Sequence, residues 1–136
     1  MLEVHLRAAG FGLLLLALLH AFFPKRFAWR TDLAGVSLLN RQIFYVHTLF
    51  IAVTVAFFGA LSILVAGAIG SGGPLVAALL GGFSVFWALR LAVQLFVFDR
   101  RLWRGHRFET AIHVIFTASW TYLMVLYAWA WWSVVR

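Results

Sequence analysis

Hydrophobic positions along this chain fall into four long runs, broken by three short polar or glycine-rich stretches. The first run covers about residues 4–23 and ends at Pro24-Lys25-Arg26. The second covers 40–69 and ends at Gly70-Ser71-Gly72-Gly73-Pro74. The third covers 74–98 and ends at Asp99-Arg100-Arg101, and the fourth covers 109–132. A helix rises 1.5 Å per residue and the hydrocarbon core of a bilayer is ~30 Å thick, so each run is long enough to cross it. No stretch alternates with the period of a β-strand. The pattern predicts an all-α polytopic membrane protein, a four-transmembrane-helix bundle running up-down-up-down as a single domain over 1–136, because short connections make sequential helices antiparallel.

Composition agrees with that pattern. Hydrophobic residues make up 65% of the 136 and charged residues 11%, against about 25% charged in a soluble domain. These figures exclude a cytosolic enzyme, a disordered tail and a secreted disulfide scaffold. The chain has no cysteine, which removes thiolate metal sites and redox dithiols.

Charge adds orientation. The net charge is +7, and the basic residues concentrate in two loops. Lys25, Arg26 and Arg30 lie between the first two runs with Arg41 at the start of the second, and Arg100, Arg101, Arg104 and Arg107 lie between the last two. Basic residues in short loops mark the cytoplasmic face of an inner-membrane protein. Both loops are therefore expected in the cytoplasm, with both termini opposite. The expected partners are anionic lipid headgroups at those loops and other membrane subunits or a second copy of the chain. Nucleic acid is not expected, since no basic face with interleaved aromatics lies outside the loops.

Small residues mark helix contacts in lipid. Ala56, Gly59, Ala60, Ser62 and Ala66 on the second run, with Ala77, Ala78, Gly81 and Gly82 on the third, predict close packing between those two helices. The tryptophans and tyrosines of the last run predict an aromatic belt near its end.

Ionisable groups inside a membrane are costly and mark function. By helix rise, His20 lies ~6 Å before Pro24 and His47 ~9–10 Å past Arg41. Arg90 lies ~13 Å and Gln94 ~7–8 Å before Asp99, and His113 lies ~6 Å after Glu109. All these depths count from the basic side, so the residues are expected to share one layer. Asn40, His47 and Thr54 recur every seven residues, and Thr110, His113, Thr117 and Trp120 share a face, which predicts inward polar stripes. His47, Arg90, Gln94 and His113 form the expected cofactor-binding set, and His20, His47 and His113 the expected metal set. Imidazoles suit haem or a transition metal, and a guanidinium suits a propionate, a quinone or a lipid headgroup. Arg90 has a second expected partner in Asp99. No His-x-x-x-His pair, hydrolase triad or phosphate-binding loop occurs.

Three functions fit these features. The first is an accessory subunit of a larger respiratory or photosynthetic membrane complex. The second is a redox protein binding haem, metal or quinone at the polar layer. The third is an enzyme modifying a lipid or isoprenoid, with His47 or His113 as base.

Overall fold

Pro24 has no N–H and so cannot close the usual helical bond to the carbonyl of His20. In the computed structural model, which describes the backbone of all 136 residues and every side chain except that of Arg100, the Phe23 N–H bonds the His20 carbonyl instead. The first helix, α1 (Leu2–Leu19), tightens there into a 3-10 turn (His20–Phe22) and continues as α2 (Phe23–Arg26), with Pro24 in its first turn. The proline therefore tightens this helix without ending it. Ala28, at a φ of 48°, ends it, and a four-residue helix α3 (Trp29–Asp32) follows, too short to leave a periodic signal in sequence. The remaining helices are α4 (Leu38–Ala68), α5 (Pro74–Phe96) and α6 (Arg107–Val135). Helices long and apolar enough to cross a membrane cover Leu2–Arg26, Leu38–Ala68, Pro74–Phe96 and Arg107–Val135, and no strand occurs among the described residues. The all-α, four-span expectation holds.

Contacts divide the chain into two helical units. The first, Glu3–Gly67, pairs α1 with α4. Leu6, Ala9, Gly10 and Leu13 form the buried stripe of α1, while Val55, Gly59, Ser62 and Ala66 are buried on α4. Two glycines let the backbones meet. A Cβ added to Gly10 would stand 2.7 Å from the Gly59 carbonyl oxygen, and one added to Gly59 would stand 2.7 Å from that of Gly10. Arg7 reaches Gly67 farther along, so the helices run antiparallel. At the other end Trp29 of α3 packs edge-on against Phe44 and Tyr45, with ring centroids 4.7 and 5.6 Å apart. Gly59, expected to serve a contact with the third span, thus serves the first.

The second unit, Ala68–Arg136, holds α5 and α6. Gly72 and Gly73, both at positive φ, make the turn into Pro74 that only glycine adopts without strain. Gly81 accommodates the Trp131 ring, the Phe83 ring meets Tyr127 edge-on at 5.3 Å, and Trp87 stacks on Trp120 at 4.9 Å. Partner numbers fall on α6 as they rise on α5, the signature of an antiparallel hairpin. Among the aromatics of α6, Trp120 and Tyr127 are buried, whereas Trp129, Trp131 and Trp132 near its end are exposed, as an interfacial belt requires.

Candidate functional site

The α5–α6 hairpin brings three of the four expected binding residues into one hydrogen-bonded chain. Arg90 and Gln94 are four apart and so share a face of α5. The Arg90 Nη1 donates to Gln94 Oε1 at 3.2 Å, and Gln94 Nε2 lies 2.7 Å from His113 Nδ1 on α6. Gln94 is buried, and Arg90 and His113 are half-buried.

Aromatic rings enclose this chain of bonds. The Arg90 guanidinium carbon lies 5.1 Å from the centroid of Trp120 and 5.9 Å from that of Phe98, both within cation–π range. Trp120 is itself stacked on Phe116 at 5.3 Å. Its Nε1–H is buried and finds no acceptor among the described residues. The Trp103 ring lies flat on the His113 imidazole, with centroids 3.8 Å apart and planes 11° from parallel.

The loop before α6 holds Trp103 in place through local chemistry. Asp99 accepts from the Arg101 N–H at 2.8 Å and starts the 3-10 turn Arg100–Leu102. Next, the His106 N–H bonds the Trp103 carbonyl at 3.0 Å around Gly105, whose φ is +89°. A four-residue turn with positive φ at its third position favours glycine there. Finally, the Thr110 hydroxyl donates to the Trp103 carbonyl at 2.7 Å, tying the loop to the first turn of α6. Asp99 is thus engaged with its own loop. Among the described residues, no carboxylate comes within ion-pair distance of Arg90, so the expected Arg90–Asp99 pair is replaced by bonding to Gln94.

The other two histidines are placed differently. His47 is exposed on α4, and its Nδ1 meets the Ile43 carbonyl at 2.9 Å. Asn40 and Thr54 are exposed as well, so the polar stripe of this helix lies off the face that packs on α1. The buried face of α4 carries Val55, Gly59, Ser62 and Ala66 instead. His20 is half-buried in the 3-10 turn, with Nδ1 2.8 Å from the Leu16 carbonyl and its ring 4.5 Å from Phe23. Among the described residues, no group of three or more His, Cys, Asp or Glu is placed to hold a metal ion. The trio His20, His47 and His113 therefore gains no support.

The sequence pattern did not single out Trp103, and it placed Trp120 on the face of His113 without giving it a partner. The signal for Trp103 was present in Gly105 and Thr110, which fold the loop back onto α6.

Chemically, the cluster combines a guanidinium, an amide, an imidazole and an indole N–H among aromatic walls. Such a set binds oxygen acceptors by charge-assisted hydrogen bonds. Comparison with protein-family models, with curated proteins and with solved structures finds no match to this chain.

Proposed function

We propose that this membrane protein holds the oxygen-bearing headgroup of a membrane-dissolved molecule, a quinone or an acidic lipid, at Arg90, Gln94 and His113. One observation carries the reading: among the described residues Arg90 has a neutral amide and two aromatic faces for partners, and no carboxylate. A guanidinium stays charged, and a charge within a membrane helix is costly unless paired. A phosphate, carboxylate or quinone carbonyl oxygen supplies the missing acceptor, and an apolar tail stays in the lipid. The same proposal puts both basic loops on the cytoplasmic side of the inner membrane, with the site near that side and the termini opposite.

Binding to the purified protein in phosphatidylcholine nanodiscs tests this, with a radiolabelled short-tailed benzoquinone in one arm and radiolabelled phosphatidylglycerol in the other. One probe should bind saturably, at one per chain. Arg90→Gln should weaken that binding at least tenfold, equivalent to about 1.4 kcal/mol. The reading fails if neither probe saturates, or if Arg90→Gln binds as the wild type does.

A second reading, an accessory subunit of a larger membrane complex, is favoured by one further observation. Tyr122, Val125, Trp129 and Trp132 lie at helical spacing on α6 and are all exposed. Aromatic side chains are enriched in protein–protein contacts. Blue-native electrophoresis after mild extraction should then show a larger assembly, and a lone monomer refutes it.

A further inference from the structure

Hydrogen-bond direction in the Arg90–Gln94–His113 chain follows from which groups can donate. A guanidinium has five N–H donors and no acceptor, so the amide atom facing Arg90 must be the carbonyl oxygen. That leaves the Gln94 NH2 facing His113, 2.7 Å from Nδ1. A donor at that distance needs a lone pair on Nδ1. A neutral imidazole with its lone pair on Nδ1 carries its proton on Nε2, since the partner of one ring nitrogen fixes the state of the other. Turning the amide over would set NH2 against the guanidinium, donor against donor. Gln94 is 6% exposed, and a buried donor without an acceptor costs about 1–3 kcal/mol, so the reversed arrangement is disfavoured.

Two more features agree. The stacked Trp103 ring fixes the imidazole plane and so keeps Nδ1 aligned with the amide. The Trp120 Nε1–H, 5% exposed and without an acceptor among the described residues, adds another donor beneath Arg90. Among the described residues, no carboxylate lies within ion-pair distance of Arg90 to offset these donors.

We infer that Gln94, oriented by Arg90, is a positioning residue that holds His113 as the Nε2–H tautomer. The site then presents donors only. It accepts a carbonyl, carboxylate or phosphate oxygen and withholds from metal ions the nitrogen lone pair they need. This inference rests on the headgroup reading for its purpose, though not for its test. The same direction of bonding leaves His113 without a lone pair for use as a general base or as an axial haem ligand.

The test is nitrogen NMR of ligand-free protein labelled with 15N-histidine, at about pH 9, above the ordinary titration range of imidazole. His113→Asn identifies the His113 signals by their loss. In the wild type, Nε2 should be the protonated nitrogen and Nδ1 the bare one. Free imidazole also populates this form, so Gln94→Glu provides the decisive arm. Its carboxylate accepts from Arg90 and from His113 together, and the two ring nitrogens should exchange shift positions as the proton moves to Nδ1. Excess zinc chloride should leave the wild-type His113 signals in place and move those of Gln94→Glu. A bare Nε2 in the wild type, or a tautomer unchanged in Gln94→Glu, overturns the inference. Should Gln94→Glu fail to fold, Arg90→Met frees the amide to turn and should give a mixture of tautomers; a single unchanged tautomer overturns the inference equally. Because no ligand is present, failure here leaves Arg90-dependent binding standing, and failure of that binding leaves this result intact.

Discussion

The crossing of α1 and α4 allows a sharp test by adding a single methyl group. In Gly59→Ala the new Cβ would stand 2.7 Å from the Gly10 carbonyl oxygen, 2.9 Å from Leu14 Cγ and 3.1 Å from Leu14 N. Ordinary contact begins near 3.4 Å, so the shortest approach is about 0.7 Å too close. Two of the three atoms are backbone, so no change of rotamer relieves the clash and the helices must part. Overpacking of this kind costs about 1–3 kcal/mol. Replacing glycine by alanine within a helix returns about 0.5–1 kcal/mol, and Gly12→Ala isolates that term, because nothing lies within 4 Å of a Cβ at Gly12. Both substitutions lie in transmembrane helices, so the difference between them reports the crossing itself. Unfolding followed by circular dichroism in mixed micelles of rising dodecyl sulfate content should place Gly59→Ala about 1–3 kcal/mol below Gly12→Ala. Gly10→Ala crowds the same crossing, so the double variant should lose less than the sum of the two single changes. If Gly59→Ala and Gly12→Ala unfold within about 0.5 kcal/mol of each other, the helices do not meet at these glycines.

Trp120→Phe removes a buried N–H that lacks an acceptor while keeping a ring to stack on Trp87 and Phe116. The ligand-free protein should therefore unfold no more easily, within about 1 kcal/mol; a larger loss in the same micelle titration would mean that the N–H has an acceptor. Trp103→Ala removes the ring stacked on His113 but leaves the backbone carbonyl that accepts from Thr110. It should shift the His113 ring signals strongly and cost about 0.5–1.5 kcal/mol of stability, and unmoved signals would refute the stacking. Because the chain lacks cysteine, single-cysteine variants report topology without background. Lys25→Cys and Arg104→Cys should react with an impermeant maleimide from one side of sealed vesicles and Ser71→Cys from the other, and any other grouping refutes the proposed orientation.

The four spans could be read from sequence because a bilayer demands about 20 apolar residues for each crossing. Their contacts were harder to read. Outward and inward faces are similarly apolar in lipid, so periodicity loses the contrast that marks a soluble helix. The Asn40, His47 and Thr54 repeat on α4 illustrates this. His47 is exposed, and its Nδ1 is already satisfied by the carbonyl four residues back. The hydroxyls of Thr48, Thr117, Ser119 and Thr121 do the same, and such residues need no partner on another helix. Arg90 and Gln94 differ. Arg90 can only donate, and an amide on a helix flank cannot satisfy both of its ends within its own backbone. The useful question for each intramembrane polar residue is therefore whether its own helix can satisfy it. By that question Arg90 and Gln94 call for a group from another element, and His113 answers. Trp103 could not be placed this way, since its position depends on the Gly105 turn and the Thr110 hydroxyl acting together.

The geometry of the site is in turn set by contacts some distance from it. Gln94 and His113 meet at 2.7 Å only in one register of α5 against α6, and a slip of one helical turn, about 5.4 Å, would separate them. The hydrogen bond alone is too weak to hold that register, since interhelical bonds in membranes average about 0.6 kcal/mol. The stacked Trp87–Trp120 pair, the edge-on Phe83–Tyr127 pair and the Gly81 notch under Trp131 hold it instead. Aromatic pairs contribute about 0.5–1.5 kcal/mol each beyond their burial, and large rings cannot slide past one another without losing contact. Gly81 lies thirteen residues from Gln94, about 20 Å along α5. The tryptophans of α6 thus divide their roles by position, with the terminal ones suited to the membrane interface and Trp120 both locking the hairpin and flooring the Arg90 site. A chain with so few polar groups can build a directed hydrogen-bond chain because its aromatic residues fix where those groups stand.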